Sequence, residues 1–99
     1  EANYDPKMLR CGPYPAALQA RIRGEYGHLS NGDSAGMAEE LIAHGTTRIV
    51  LGHLSEKNNT MPLAQQTVLE HLQEQGMRRN QDFLMQVASP EGLEQAVIF

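Results

Sequence analysis

One cysteine in 99 residues, Cys11, excludes an internal disulfide framework. It fits a reducing compartment, so a cytoplasmic location is expected. No stretch approaches the roughly 18 consecutive apolar residues of a membrane helix, and no basic-then-apolar leader opens the chain, so a membrane partner is not expected. Basic residues are scarce, 8 Lys and Arg against 12 Asp and Glu, and the net charge of −4 argues against coating nucleic acid or a membrane surface. Only the first quarter is locally basic, through Lys7, Arg10, Arg21 and Arg23. No Gly-x-Ser-x-Gly elbow surrounds Ser30 or Ser55, which leaves a serine hydrolase unsupported. What remains, 40% hydrophobic and 20% charged residues, is ordinary for a soluble globular chain. Residues 1–99 make one domain at most, able to bury roughly two-thirds of the unfolded surface.

Coarse periodicity organises the chain. Residues 1–12 have no clear period and read as an irregular segment with a short helical turn at Lys7 to Arg10. Tyr14, Leu18, Ile22 and Tyr26 recur every four residues, predicting a helix that starts near Pro15 and ends near Gly24. Ser30, with Asp33 three residues on, predicts a capped second helix with Met37, Ala38, Leu41 and Ile42 on its buried face and Gly45 as its stop. Thr46 to Leu51 reads as a strand covered on both faces. Thr60 and Pro62 open a third helix, whose buried stripe is Ala64, Val68 and Leu72 and which runs to Gly76. Alternation at Phe83, Met85 and Val87 predicts another strand, Ser89 to Gly92 a turn, and residues 93–99 a last strand. The order implies an α/β layer of about three helices and two or three strands joined by right-handed crossovers. So narrow a sheet has an edge that wants a neighbour, which predicts self-association or a missing part of the same domain. The opening at Glu1 without methionine and the apolar ending Ala96-Val97-Ile98-Phe99 suggest a piece of something longer.

The same four residues, Gly-His-Leu-Ser, occur at 27–30 and at 52–55. Their flanks differ, so an internal repeat is not supported. His53 falls just past the carboxyl end of an apolar strand, where open α/β layers gather ligands. His28 precedes a capped helix, whose free N–H groups and dipole favour an anion. Two histidines do not complete a metal site, because a catalytic zinc needs at least three protein ligands. Glu1, Asp5 and Asp33 are candidate third ligands, and their spacing does not choose among them. His44 and His71 read as partly solvated surface residues, and Cys11 as incidental.

Four motifs in order, Glu1-Ala2-Asn3-Tyr4-Asp5, Gly12-Pro13-Tyr14-Pro15, Gly27-His28-Leu29-Ser30-Asn31 and Gly52-His53-Leu54-Ser55-Glu56-Lys57-Asn58-Asn59-Thr60, span most of the chain. Together they closely resemble the carboxyl-terminal part of metallo-β-lactamase-fold hydrolases, in the YycJ-like (WalJ-like) branch related to the tRNA 3′-processing ribonucleases. The resemblance implies an αββα sandwich with a site for two divalent ions, zinc or manganese. It also implies a phosphodiesterase or DNA exonuclease acting on nucleic acid. By the same resemblance His53 matches the last metal-binding histidine, and His28 a histidine that transfers a proton or holds the scissile phosphate. Ser55, Asn58 and Asn59 would line the same cleft, with Asn3 and Asp5 as further substrate-binding positions. Tyr4 departs from the histidine that relatives usually carry. The family's His-x-His-x-Asp-His motif, middle histidine and bridging aspartate are absent from these residues. One ligand of a two-metal site cannot clamp both attacking and leaving oxygens, so the chain alone is expected to be inactive and to hold no metal tightly. The alternative is a stand-alone interaction or anion-binding α/β module that has lost the metal-binding half.

Overall fold

The computed structural model describes residues 1–89, and the turn and last strand expected beyond Ser89 lie outside the described residues. The order of elements is α1 (Pro6–Cys11), α2 (Ala16–Arg23), α3 (Asn31–Ala43), β1 (Arg48–Leu51), α4 (Met61–Glu74) and β2 (Leu84–Val87). The arrangement is α/β, with β1 and β2 paired in parallel from Arg48 opposite Leu84 to Leu51 opposite Val87. A parallel pair needs a crossover connection, and α4 supplies it. This is compatible with a carboxyl-terminal portion of an αββα sandwich. Among the described residues, no helix is long and apolar enough to cross a membrane.

Each helix starts where its chemistry allows. Ser30 Oγ accepts the Asp33 amide while Asp33 Oδ2 accepts the Ser30 amide, a reciprocal capping box at the start of α3. Thr60 Oγ1 accepts the Leu63 amide at α4, with Pro62 in the first turn. Gly45 and Gly76 follow α3 and α4 at φ of 106° and 80°, a conformation that favours glycine. The segment expected to be irregular contains a further helix, α1, with Asp5 as cap: Asp5 Oδ2 accepts the Met8 amide. Six residues are too few to show a hydrophobic period, which is why only a turn was legible there.

The main core joins both strands to α3 and α4, with Ala35, Ala38, Ile49, Leu51, Leu54, Ala64, Val68, Leu72, Phe83 and Met85 buried. Ala64, Val68 and Leu72 are fully buried, as their four-residue spacing predicted. A smaller cluster holds Tyr4, Leu9 and Ile22 with Tyr14 against it.

Three expected faces differ from those observed. On α3, Ala38 is buried and Ile42 packs against the core as expected, but Met37 and Leu41 are exposed, and Asn31, Ser34 and Ala35 face inward instead, Asn31 with an amide partner inside. On α2 only Ile22 is buried, and Leu18 and Tyr26 of the expected stripe are exposed. In β1 burial alternates, with Arg48 and Val50 outward and Ile49 and Leu51 inward, so the strand is covered on one face among the described residues.

Candidate functional site

Residues 1–5 run extended between the two Gly-His-Leu-Ser loops and are hydrogen-bonded to both. The Asn3 amide N–H donates to Leu29 O, and the Asn31 N–H to Tyr4 O, on the side of the first loop. On the side of the second, the Ala2 N–H donates to Gly52 O, the Ser55 N–H to Asn3 O and the Asp5 N–H to Asn58 O. The Asn3 side chain adds a bond from Nδ2 to His53 O at 2.8 Å. Inside the seam Asn31 and Asn59 exchange side-chain hydrogen bonds of 2.9 and 2.8 Å, and Asn59 Nδ2 also reaches Ala2 O. A buried amide pair satisfied on both sides costs little to bury and holds three segments in one register.

This clamp sets Glu1 between the two histidines. Glu1 Oε1 accepts the Leu29 amide at 2.7 Å. Glu1 Oε2 lies 3.1 Å from His28 Nδ1 and is hydrogen-bonded to His53 Nδ1 as well. The two rings meet edge-to-face with centroids 5.1 Å apart. Burial alone would raise the Glu1 pKa, but the Leu29 amide and the two imidazoles outweigh it and hold the carboxyl at about 2. An ionised carboxylate only accepts, so both Nδ1 atoms donate to Glu1 and both Nε2 atoms are left out of that contact. No protein group among the described residues bonds to either Nε2, and both imidazoles are partly open to solvent.

His53 reaches this position through its backbone. It sits at φ 58°, in the left-handed region, directly after β1 and Gly52. Histidine enters that region more readily than most residues, and the bonds from Asn3 and Ala2 on either side of its peptide hold it there. His28 has ordinary backbone geometry and is placed by its amide, which donates to Ile22 O at 2.9 Å.

Of the three acidic residues left open by spacing, the structure brings Glu1 alone to the histidines, as Asp5 caps α1 and Asp33 caps α3. Nothing local could have singled out Glu1, because its partners lie 27 and 52 positions away. Asn31, the partner of Asn59, carried no signal beyond its place after the helix cap. The remaining residues named from sequence do not join the cluster. Ser55 Oγ accepts the Lys57 and Asn58 amides. Asn3, Asn58 and Asn59 are buried, and Asn58 Oδ1 has no hydrogen-bond partner. Tyr4 is buried in the small cluster, where desolvation raises its phenol pKa. His44 Nδ1 donates to Glu40 O, His71 Nε2 pairs with Glu39 at 2.7 Å across α3 and α4, and Cys11 is exposed.

Two imidazoles and a carboxylate offer ligand atoms within 4.8 Å of one another just past the end of β1, the kind of cluster an α/β protein could use to hold a metal ion. The comparisons with known proteins are more particular. The chain is 38% identical over 91 residues to exodeoxyribonuclease WalJ of Streptococcus pneumoniae, and 36% identical over 91 residues to exodeoxyribonuclease YycJ of Bacillus anthracis. Each match covers 92% of this chain, so the chain is YycJ/WalJ-like across nearly its whole length. It spans 34%, about a third, of the length of those relatives. No protein-family model and no solved structure matches it.

Proposed function

We propose that this chain is the carboxyl-terminal portion of a metal-dependent phosphodiesterase of the metallo-β-lactamase fold, one that hydrolyses DNA strands. The observation that carries the reading is Glu1, whose single oxygen Oε2 receives both imidazoles and leaves both Nε2 atoms free. A carboxylate behind an imidazole is a recurrent support for a metal-binding histidine, fixing its tautomer and raising its basicity. The cluster suits a divalent ion on the Nε2 side.

In this reading His53 Nε2 would hold zinc or manganese. A bound divalent ion would supply Lewis acidity toward a phosphoryl oxygen. His28, oriented by Glu1, acts as the imidazolium, with Nε2–H donating to the scissile phosphate or giving up the proton that the leaving oxygen takes. Glu1 orients both rings and stabilises whichever one becomes cationic. One histidine cannot complete a two-ion site, so in this reading the rest of that site belongs to the part of the relatives' length that this chain does not span. The exposed Met37 and Leu41 of α3 and Val50 of β1 support the same view, since they offer an apolar surface beside a two-stranded sheet.

Activity on a 5′-phosphorylated DNA strand is therefore expected from a protein that joins this chain to an upstream half carrying His-x-His-x-Asp-His, and not from the 99 residues alone. His53→Ala should abolish that activity and release metal together. If the His53→Ala protein keeps both its activity and its metal content, the ligand assignment falls. Stoichiometric metal retained by the 99-residue chain through dialysis would likewise remove the claim that the site is incomplete here.

A further inference from the structure

Beside His28 lies a cleft of about 260 Å³ lined by Leu18, Arg21, Ile22, Tyr26, Gly27 and His28. Tyr26 is 96% exposed, whereas Tyr4 is buried and Tyr14 packs against the small cluster. An aromatic ring so exposed contributes nothing to the core, and packing gives no reason for it. The turn that carries it is nevertheless pinned. The Gly27 N–H donates to Gly24 O and the His28 N–H to Ile22 O, and a Cβ at Gly27 would stand 2.2 Å from Ile22 O. The ring is thus presented from a tightly packed turn, two residues before a site histidine with which it shares a cleft wall.

The charge around the cleft has one sign on the helices and the other at the tip. Residues 6–24 carry Lys7, Arg10, Arg21 and Arg23 and no acidic residue, although the chain as a whole is at −4. All four are exposed, and Arg21 forms part of the cleft wall. Glu25 neighbours Tyr26 at the tip, which disfavours a phosphate there and favours one at Arg21.

We propose that this cleft is a subsite for one unpaired base of a DNA strand, with the Tyr26 ring as its stacking platform and Arg21 as its phosphate contact. Every base has a π-face, so a lone exposed ring beside a guanidinium binds single strands with little sequence preference. Because the subsite adjoins His28, its occupant is the nucleotide next to the phosphate that His28 handles. The inference rests on the DNA-hydrolase reading above and adds to it where the strand lies.

The test is binding of a short single-stranded oligothymidylate to the 99-residue chain at low salt. The chain has no tryptophan and three tyrosines, so the share of the tyrosine quenching that Tyr26→Phe removes reports on the contact, and anisotropy of a labelled strand gives the affinity. Tyr26→Ala is expected to weaken binding about tenfold, within the range for loss of one stacked base. Tyr26→Phe should stay within about twofold of the parent, because phenylalanine also stacks. Arg21→Gln should reduce the salt slope by about one phosphate contact. On a strand with abasic residues, the difference between the parent and Tyr26→Ala should vanish. Equal affinities for the parent and Tyr26→Ala, or a loss just as large on the abasic strand, would overturn the subsite and leave the hydrolase reading standing. A parent chain that binds no strand would overturn the subsite, while loss of activity and metal in the His53→Ala protein would still uphold the hydrolase reading.

Discussion

The loops at 27–30 and 52–55 share four letters and almost nothing of their support. In the first, Gly27 is wedged against the carbonyls of Ile22 and Arg21, Leu29 is half-buried, and Ser30 caps α3. In the second, Gly52 has open space around its Cα, Leu54 is buried in the main core, and Ser55 gathers two loop amides. The histidines differ as well: His28 has ordinary backbone angles, whereas His53 is held at positive φ. Equal letters therefore reach a common point, the Glu1 carboxylate, by different means. One histidine is delivered by a helix-to-helix turn, the other by the end of a strand. The position that carries stability changes from glycine in the first loop to leucine in the second.

The largest expected effect separates the leucines. Leu54→Ala removes a buried side chain from the main core and is expected to cost about 3 kcal/mol. Leu29→Ala, at a half-buried position outside that core, should cost less than half as much. Urea unfolding of the two variants measures the difference, and equal losses would show that the loops are supported alike.

The glycines should reverse the order of the loops. Gly27→Ala brings a Cβ to 2.2 Å and 2.4 Å from backbone carbonyl oxygens, so the turn must shift, at about 2 kcal/mol. It should also displace His28 and weaken any reaction that needs it. Gly52→Ala meets nothing within 4 Å and is expected within about 1 kcal/mol of the parent, on the stabilising side, since alanine narrows the unfolded ensemble. Thermal melts of both variants check the sign.

How much of this was legible depended on whether the deciding interaction was local. The starts of α3 and α4 could be read because Ser30, Asp33 and Thr60 act within three residues. The buried stripe of α4 could be read because its spacing matches the helical period. His53 was placed by the strand before it. Ala38 and Ile42 of α3 could be read, but the burial of Asn31 could not, because it depends on Asn59 across the fold. Alternation in β1 was hidden by an apolar Val50 that stays exposed. Glu1 was one of three equal candidates until the amide clamp selected it, and the part of Asn59 in that clamp depends on Ala2 and Asn31, both far away in sequence.

The smallest effect isolates the backbone at the two histidines and should change sign between them. At position 53 the left-handed conformation penalises any side chain with a Cβ, so His53→Gly should be more stable than His53→Ala by about 1 kcal/mol. At position 28, where φ is not in that region, glycine only widens the unfolded ensemble. There His28→Gly should be less stable than His28→Ala, by about 0.5–1 kcal/mol. Each pair removes the same imidazole and its bond to Glu1, so the Gly-minus-Ala difference cancels that loss and reports on φ alone. Differences of the same sign at both positions, measured by urea unfolding, would mean that the second loop relaxes away from the left-handed geometry. His53 would then no longer be held at the strand end by its own peptide.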